Sequence, residues 1–348
     1  MAFTASVMPR LNVRLSEMFL SPNTAITEYN EPAMSARAVL MNQTARADER
    51  LTGNKCVGIN AWFYRTSAIT TVSAPSDCTT PGGNQGETVG QNYDTEVLAN
   101  AAGTVLDNRC NNELEFVEES ALAIRRIIAV LRKTLNSTII TRLAAAAQVN
   151  LDTGIPASWD ATSESPKILV PGTDMVWENL GEFEAVVANN LFGDHLWLSG
   201  RNFYNDFWKA QYTRFNDSGK AEFQAYQDHK FYFDLRNMDA VLGEKDTLAI
   251  DQNSYIFWNT TFSTATWTQI GEDKWVAVIP DPELSYMKNG RLTPVLYEFE
   301  MEKLCSGRNS NTQLQWSYKY YGRLVGGFKQ APTGPNNEKG VLLFKNAG

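Results

Sequence analysis

Between Glu113 and Gln148 apolar residues recur every three or four positions: Val117, Ala121, Ile124, Ile128, Leu131, Leu135, Ile139, Leu143 and Ala146. No proline or glycine interrupts them. That spacing predicts one continuous amphipathic helix, about 50 Å long at 1.5 Å per residue. Asn111 and Asn112 stand where capping side chains belong. Glu113, Glu115, Glu118 and Glu119 suit the positive end of the helix dipole, and Arg125, Arg126, Arg132, Lys133 and Arg142 follow further on. A helix of this length is expected to be a strut on which other layers pack.

Around it the pattern changes. Residues 1 to about 53 hold short apolar pieces broken by Pro9, Pro22 and Pro32, with no lasting period. They read as an extended arm packed on something else, with a short helix around Ala33 to Asn42. Val57, Ile59, Trp62, Tyr64, Ile69 and Val72 give Val57–Val72 a strand-like character. A Gly- and Pro-rich tip (Pro75 to Gly90) and a returning run from Tyr93 to Leu106 complete a projecting hairpin. A two-stranded ribbon buries too little to stand alone, so a neighbouring molecule is expected beneath it.

After the helix, strands are expected near Ile155–Trp159 and at Lys167–Val170. Helices follow from Met175 to Leu191, capped by Thr173 or Asp174, and from Arg201 to Tyr212, capped by Ser199. Further strands are expected at Phe231–Leu235, Thr247–Ile250, Tyr255–Trp258 and Trp275–Ile279. This middle part reads as a compact α+β domain. Near the end Tyr297, Phe299 and Met301 alternate with Leu296, Glu298, Glu300 and Glu302, and Leu314, Trp316, Tyr318 and Tyr320 repeat the apolar half. The two runs predict a long hairpin on whose polar face Lys319 answers the glutamates, and Val341–Phe344 adds a last short strand.

Composition narrows the function classes. With 348 residues, 43% hydrophobic, the chain folds as two domains or one elaborated domain. A net charge of −8 argues against bulk electrostatic binding of nucleic acid, although the stretch from Cys305 carries six basic residues against Glu338 alone. Met1–Leu20 lacks the basic-then-apolar layout of a secretory signal, and no run is long enough for a membrane span. Cytosolic synthesis is therefore expected. Cys56, Cys78, Cys110 and Cys305 have no metal-ligand spacing and read as reduced thiols, with a late disulfide among the first three left open.

Candidate chemistry is sparse. His195 and His229 belong to no nucleophile or metal motif and are read as structural. Gly82 and Gly83 are turn residues, because no dinucleotide or P-loop spacing surrounds them. Glu298, Glu300 and Glu302 are carboxylates of the kind glycoside hydrolysis uses, but a row on one strand more often makes cross-strand ion pairs. The aromatics between Trp197 and Phe233 are read as core or subunit contact in preference to a stacking platform. Arg125 and Arg126 are read as solvated or intersubunit charges, and the sequon at Asn136 as chance.

The order of elements resembles the major capsid protein of tailed bacteriophages, the α+β HK-ninety-seven-type fold, over essentially the whole chain. The long helix, with Leu122-Ala123-Ile124-Arg125-Arg126-Ile127-Ile128 and Leu135-Asn136-Ser137-Thr138-Ile139, is its most distinctive part. The resemblance implies an N-arm (1–53), an E-loop hairpin (54–110), a spine helix with the start of the peripheral domain (111–174), an axial domain (175–275) and a return to the peripheral domain (276–348). It implies a homo-oligomer of pentamers and hexamers in an icosahedral shell around double-stranded DNA, made in the bacterial host cytoplasm and ending in the virion. Separate scaffolding and portal proteins are implied as partners, with no membrane, cofactor, metal or catalysis. Lys55 is the only lysine of the hairpin region and lies at its base, which sets this chain apart from members that cross-link through a loop lysine. Trp62, Tyr64, Ile69, Val72, Phe19 and Leu20 are the expected intersubunit contacts. An encapsulin-type shell around protein cargo, a tail tube or sheath subunit, and a carbohydrate-binding protein are the alternatives.

Overall fold

The computed structural model describes residues 7–20, 33–52, 55–64, 88–107, 113–149, 158–160, 167–173, 179–190, 192–201, 203–205, 230–234, 237–243, 246–261, 267–308, 314–332 and 339–347. The elements begin α1 (Val7–Leu20), α2 (Met34–Asn42), β1 (Arg46–Thr52), β2 (Lys55–Tyr64), β3 (Thr88–Asp94), β4 (Glu96–Asp107) and α3 (Glu113–Ala145). β5 (Ser158–Asp160), β6 (Lys167–Val170), α4 (Leu180–Asn189), β7 (His195–Ser199), β8 (Lys230–Phe233), α5 (Asn237–Val241), β9 (Thr247–Asp251) and β10 (Tyr255–Asn259) follow. The chain closes with β11 (Thr268–Gly271), β12 (Lys274–Lys288), β13 (Arg291–Arg308), β14 (Leu314–Gln330) and β15 (Val341–Asn346).

The long helix forms where its stripe places it. Val117, Ala121, Ile124, Ile128, Leu131, Leu135, Ile139 and Leu143 are all buried, and each large aliphatic among them contributes roughly 1.5–3 kcal/mol by leaving water. The capping residues Asn111 and Asn112 lie outside the described residues. Of the two arginines read as solvated or intersubunit charges, Arg125 is buried within the subunit and so is neither, while Arg126 is exposed.

The N-terminal stretch is not simply extended. Residues 7–20 form a helix whose Leu11 and Leu15, one turn apart, are buried in the core cluster that contains α3. Arg14 donates to both oxygens of Glu118 at 2.5 and 2.9 Å. Pro9 is harmless there, because the first turn of a helix has no intrahelical acceptor for its missing N–H. The short helix expected at Ala33–Asn42 forms as α2.

Two six-stranded sheets flank the strut. In the long-strand sheet β14 pairs with β13, and β12 and β11 continue beyond it. β4 takes the other side of β14, and β10 joins at its C-terminal end. Its buried face carries Tyr297, Phe299, Met301, Tyr318 and Tyr320, as the alternation predicts. Helix and sheet approach closely at Gly322, where a side-chain carbon would overlap Ile127.

The middle sheet runs β5-β6-β15-β9-β7-β8. This membership crosses the boundary drawn from sequence at residue 276. β15, from the last stretch, pairs with β6 and β9, whereas β10, from the middle stretch, pairs with β14. Strand pairing follows side-chain fit across the molecule, and sequence distance is a poor guide to it. β7 is a strand that the sequence pattern did not announce; its Leu196, Trp197 and Leu198 are fully buried. The Met175 helix is observed from Leu180 to Asn189, and most of the expected Arg201–Tyr212 helix lies outside the described residues.

Candidate assembly surface

The hairpin has a root of three strands. β2 pairs antiparallel with β1 on one side and β3 on the other, so Arg46–Thr52, assigned from sequence to the arm, is part of this sheet. One face is apolar and seated on the chain's own body. Ile59, Ala61 and Phe63 pack with Ala45 against Ile256 and Trp258 of β10, and Tyr93 stacks on Trp258 with ring centroids 6.0 Å apart. The expectation that the hairpin needs a neighbour beneath it is thus corrected at its base, where three strands and β10 supply the missing apolar cover. Residues 65–87, which hold Ile69 and Val72, lie outside the described residues.

Polar ties lock the root in place. The Gln43 amide donates to the Phe257 and Met287 carbonyls and accepts from the Phe257 N–H. The Asn289 amide takes the place of a strand at the outer edge of β1: it accepts from Ala47 N–H at 3.0 Å and donates to Ala47 C=O at 2.8 Å. Asn289 reaches that position from a left-handed backbone, φ 49°, with Gly290 at 80°, the geometry of a tight primed turn. Lys288 pairs with Glu49 at 2.5 Å, and the Tyr93 hydroxyl donates to Gln330 C=O at 2.6 Å. Gln43 and Asn289 were not singled out from sequence. The Asn289-Gly290 pair between two strand-like runs was the available signal.

Of the expected contact residues, Trp62 is half-buried on the opposite face from Ile59 and lies against Gly90. Tyr64 ends β2, paired in register with Thr88, and Phe19 and Leu20 end α1. Their side chains, like Ile69 and Val72, lie outside the described residues.

The second surface is the open face of the long-strand sheet. Thr268, Val276, Glu300, Tyr321 and Ala102 form one row across five strands, and Lys274, Glu302, Lys319 and Thr104 the next. Lys274, exposed in water, lies 3.6 and 3.3 Å from Glu300 and Glu302, while Arg323 holds Glu298 at 2.7 Å. Lys319 shares this face but sits over the Tyr321 ring, so Lys274 and Arg323 answer the glutamates in its place. Cross-strand pairing, the plainer reading of the carboxylate row, accounts for these three residues. Leu106, Leu304 and Tyr321 are exposed beside them.

The remaining titratable groups knit layers together. Arg142 of α3 donates to Glu96 of β4, which Lys329 also approaches. Burial opposes ionisation of Glu96, but these two cations outweigh it and hold its carboxyl below the ordinary range. His195 contacts Glu184 at 2.8 Å, and Glu184 also accepts from Trp197 at 2.6 Å, tying α4 to β7. Trp197 is a core residue against Phe344 and Phe231, in keeping with the core reading of this aromatic stretch. Among the described residues no group of three or more His, Cys, Asp or Glu is arranged to hold a metal ion. No helix among them is long and apolar enough to cross a membrane.

The His195 contact makes a pH prediction. Burial works against the imidazolium, yet the Glu184 hydrogen bond and charge outweigh it and raise the pKa above 6.5. The stabilisation is therefore fully present below the unfolded pKa and is lost as pH rises through the folded one. The urea midpoint is expected to fall between pH 5.5 and 8.5 by more in the wild type than in His195→Gln. Equal falls in the two proteins would show that the pair is not coupled to stability.

No family model matches the sequence, and no curated protein matches it. Solved structures do. The capsid of Cyanophage P-SCSP1u matches at 13% identity with a TM-score of 0.40, over 88% of this chain and 87% of that one. A chain from Mycobacterium phage Bobi matches at 14% identity and a TM-score of 0.39, over 94% and 96%. The capsid asymmetric unit of Cyanophage Pam1 matches at 11% identity and a TM-score of 0.41, over 84% of this chain and 85% of that one. A virus-like particle from Pyrococcus furiosus also matches, at 8% identity and a TM-score of 0.36, over 99% and 100%.

Proposed function

We propose that the chain is a shell subunit that assembles with copies of itself into a closed icosahedral capsid of pentamers and hexamers around double-stranded DNA. The observation that supports this is the distribution of exposed apolar side chains over different parts of the body. Leu51 lies on the hairpin root, Leu292 at the β12–β13 turn, Val130 on the outer side of α3, and Leu106 and Leu304 on the open sheet face. A subunit that closes into rings uses two unlike surfaces, head to tail, and needs apolar contact at both. α3 packs on β4 and β14 of the long-strand sheet, and the three-stranded root is seated on β10. In this reading the hairpin reaches a neighbour from a seat that is already folded. DNA is enclosed without sequence-specific contact, scaffolding and portal proteins assist, and catalysis plays no part.

Electron microscopy of the purified, concentrated chain tests the reading. Closed particles of uniform diameter are expected. Open tubes, or a protein that stays monomeric at high concentration with its native binding partners present, would overturn it. Particles isolated from the native source are expected to protect DNA from nuclease; particles filled with an enzyme instead would assign the shell to a protein compartment.

A further inference from the structure

α2 is a helix that does not cap itself. Ala33 at its N-cap position makes no side-chain cap hydrogen bond, and the helix is nine residues long. Nine residues without a cap do not hold a helix in water, because nucleation costs more than so few hydrogen bonds return. Its buried first-turn donors are satisfied instead by two side chains from distant parts of the chain. Ala36 N–H donates to Asn136 Oδ1 of α3 at 2.7 Å, and Ser35 N–H and Oγ donate to Asp234 Oδ2, next to β8, at 3.2 and 2.7 Å.

Asp234 is the meeting point. Its Oδ2 also accepts from Asn136 Nδ2 at 2.8 Å, while its Oδ1 accepts from Asn237 N–H at 2.9 Å at the start of α5. One buried carboxylate thus serves two helix N-termini, where dipoles and free N–H groups favour negative charge. The cap for α2 exists only while α3 and the edge of the middle sheet are both in place.

We infer that α2 is a conditional latch: residues 33–42 stay helical and docked only while the Asp234–Asn136 junction is closed, and they detach as a unit, ahead of global unfolding, when it opens. The α2 seat is short. Ser35, Ala36, Ala38, Val39 and Leu40 are buried, and the Tyr255 hydroxyl donates to Val39 C=O at 2.8 Å, so the fully buried part of the segment is confined to residues 35–40. The latch couples the seating of the N-terminal segment to the relative placement of the long helix and the middle sheet. It stands whether or not the chain forms a shell.

Hydrogen exchange on the full chain at neutral pH tests the latch. Peptides covering 34–42 report on α2, and peptides covering 247–251 of β9 serve as the internal reference. In the wild type the α2 amides are expected to exchange faster than the β9 amides. Asn136→Ala is expected to accelerate α2 at least tenfold and leave β9 unchanged. Ser35→Ala, which removes a hydroxyl from α2 alone and leaves α3 intact, is expected to act in the same direction. If α2 and β9 exchange together in the wild type, or if the two variants accelerate both equally or neither, α2 is an integral part of the core and the latch is refuted.

Discussion

Asp281→Ala is expected to destabilise the fold by about 3–5 kcal/mol, read as a lower denaturant midpoint at unchanged m-value. Asp281 is completely buried and receives Arg132 of α3 in a two-pronged pair, Nε to Oδ2 at 2.6 Å and Nη2 to Oδ1 at 2.5 Å. The Tyr297 hydroxyl and the Glu283 and Leu284 N–H groups complete its shell at 2.7, 2.8 and 2.9 Å. Removing the carboxylate strands a guanidinium that is itself buried, with only Glu283 at 3.0 Å left as a partly solvated partner. The loss measures an unpaired charge more than the strength of the bond. The double variant Arg132→Met with Asp281→Leu should therefore recover the part due to the stranded guanidinium, but not the part due to the Tyr297, Glu283 and Leu284 donors it leaves unpaired. A single variant within about 1 kcal/mol of wild type would mean that water reaches the guanidinium.

Joining Tyr64 directly to Thr88 through a two-residue Asn-Gly turn is expected to leave a folded, soluble subunit that forms no closed particles. Tyr64 and Thr88 are already opposite each other in the ladder, so such a turn closes β2 on β3 without disturbing the register. The root keeps its apolar seat on β10 and its ties through Gln43, Asn289 and Lys288, none of which lies in the removed segment. Stability should therefore change little. Assembly should change completely, because every subunit of a shell is the same chain, and an interaction missing from one is missing at every interface of a structure that relies on many modest ones at once. Particles at wild-type yield, seen by microscopy, would show that the hairpin is not the clasp.

Sequence reasoning reached the elements whose signal is periodic. The stripe of α3, the alternation of β13 and β14 and the short β6 and β15 are local patterns, and they occur where the pattern lies. Partnership was less legible. Val341–Phe344 announces a strand but says nothing about inserting between β6 and β9, because any buried apolar strand reads the same from either neighbour. The Leu11 and Leu15 pair of α1 was obscured by Pro9, although a proline in the first turn costs a helix little. Charged and polar residues misled in the other direction. Arg125, Arg132 and Asn136 look like the wet side of a helix until the layers that cover them are known. Of the predicted contact residues, only the Trp62 side chain falls among the described residues. The groups that fix the hairpin root, Gln43 and Asn289, act through backbone atoms of other segments, and no local pattern encodes that.

The place of β15 bears on how the molecule is made. Residues 341–346 are synthesised after every other described strand, yet they sit in the interior of the middle sheet, between strands laid down some 90 and 170 positions earlier. Until then β6 and β9 face an empty slot, and Leu342, Leu343 and Phe344 are absent from the core they fill. A nascent chain is thereby kept from completing that sheet before translation reaches these residues. For the shell subunit proposed above, such an arrangement would act as a timer, withholding association-ready subunits from the crowded polysome.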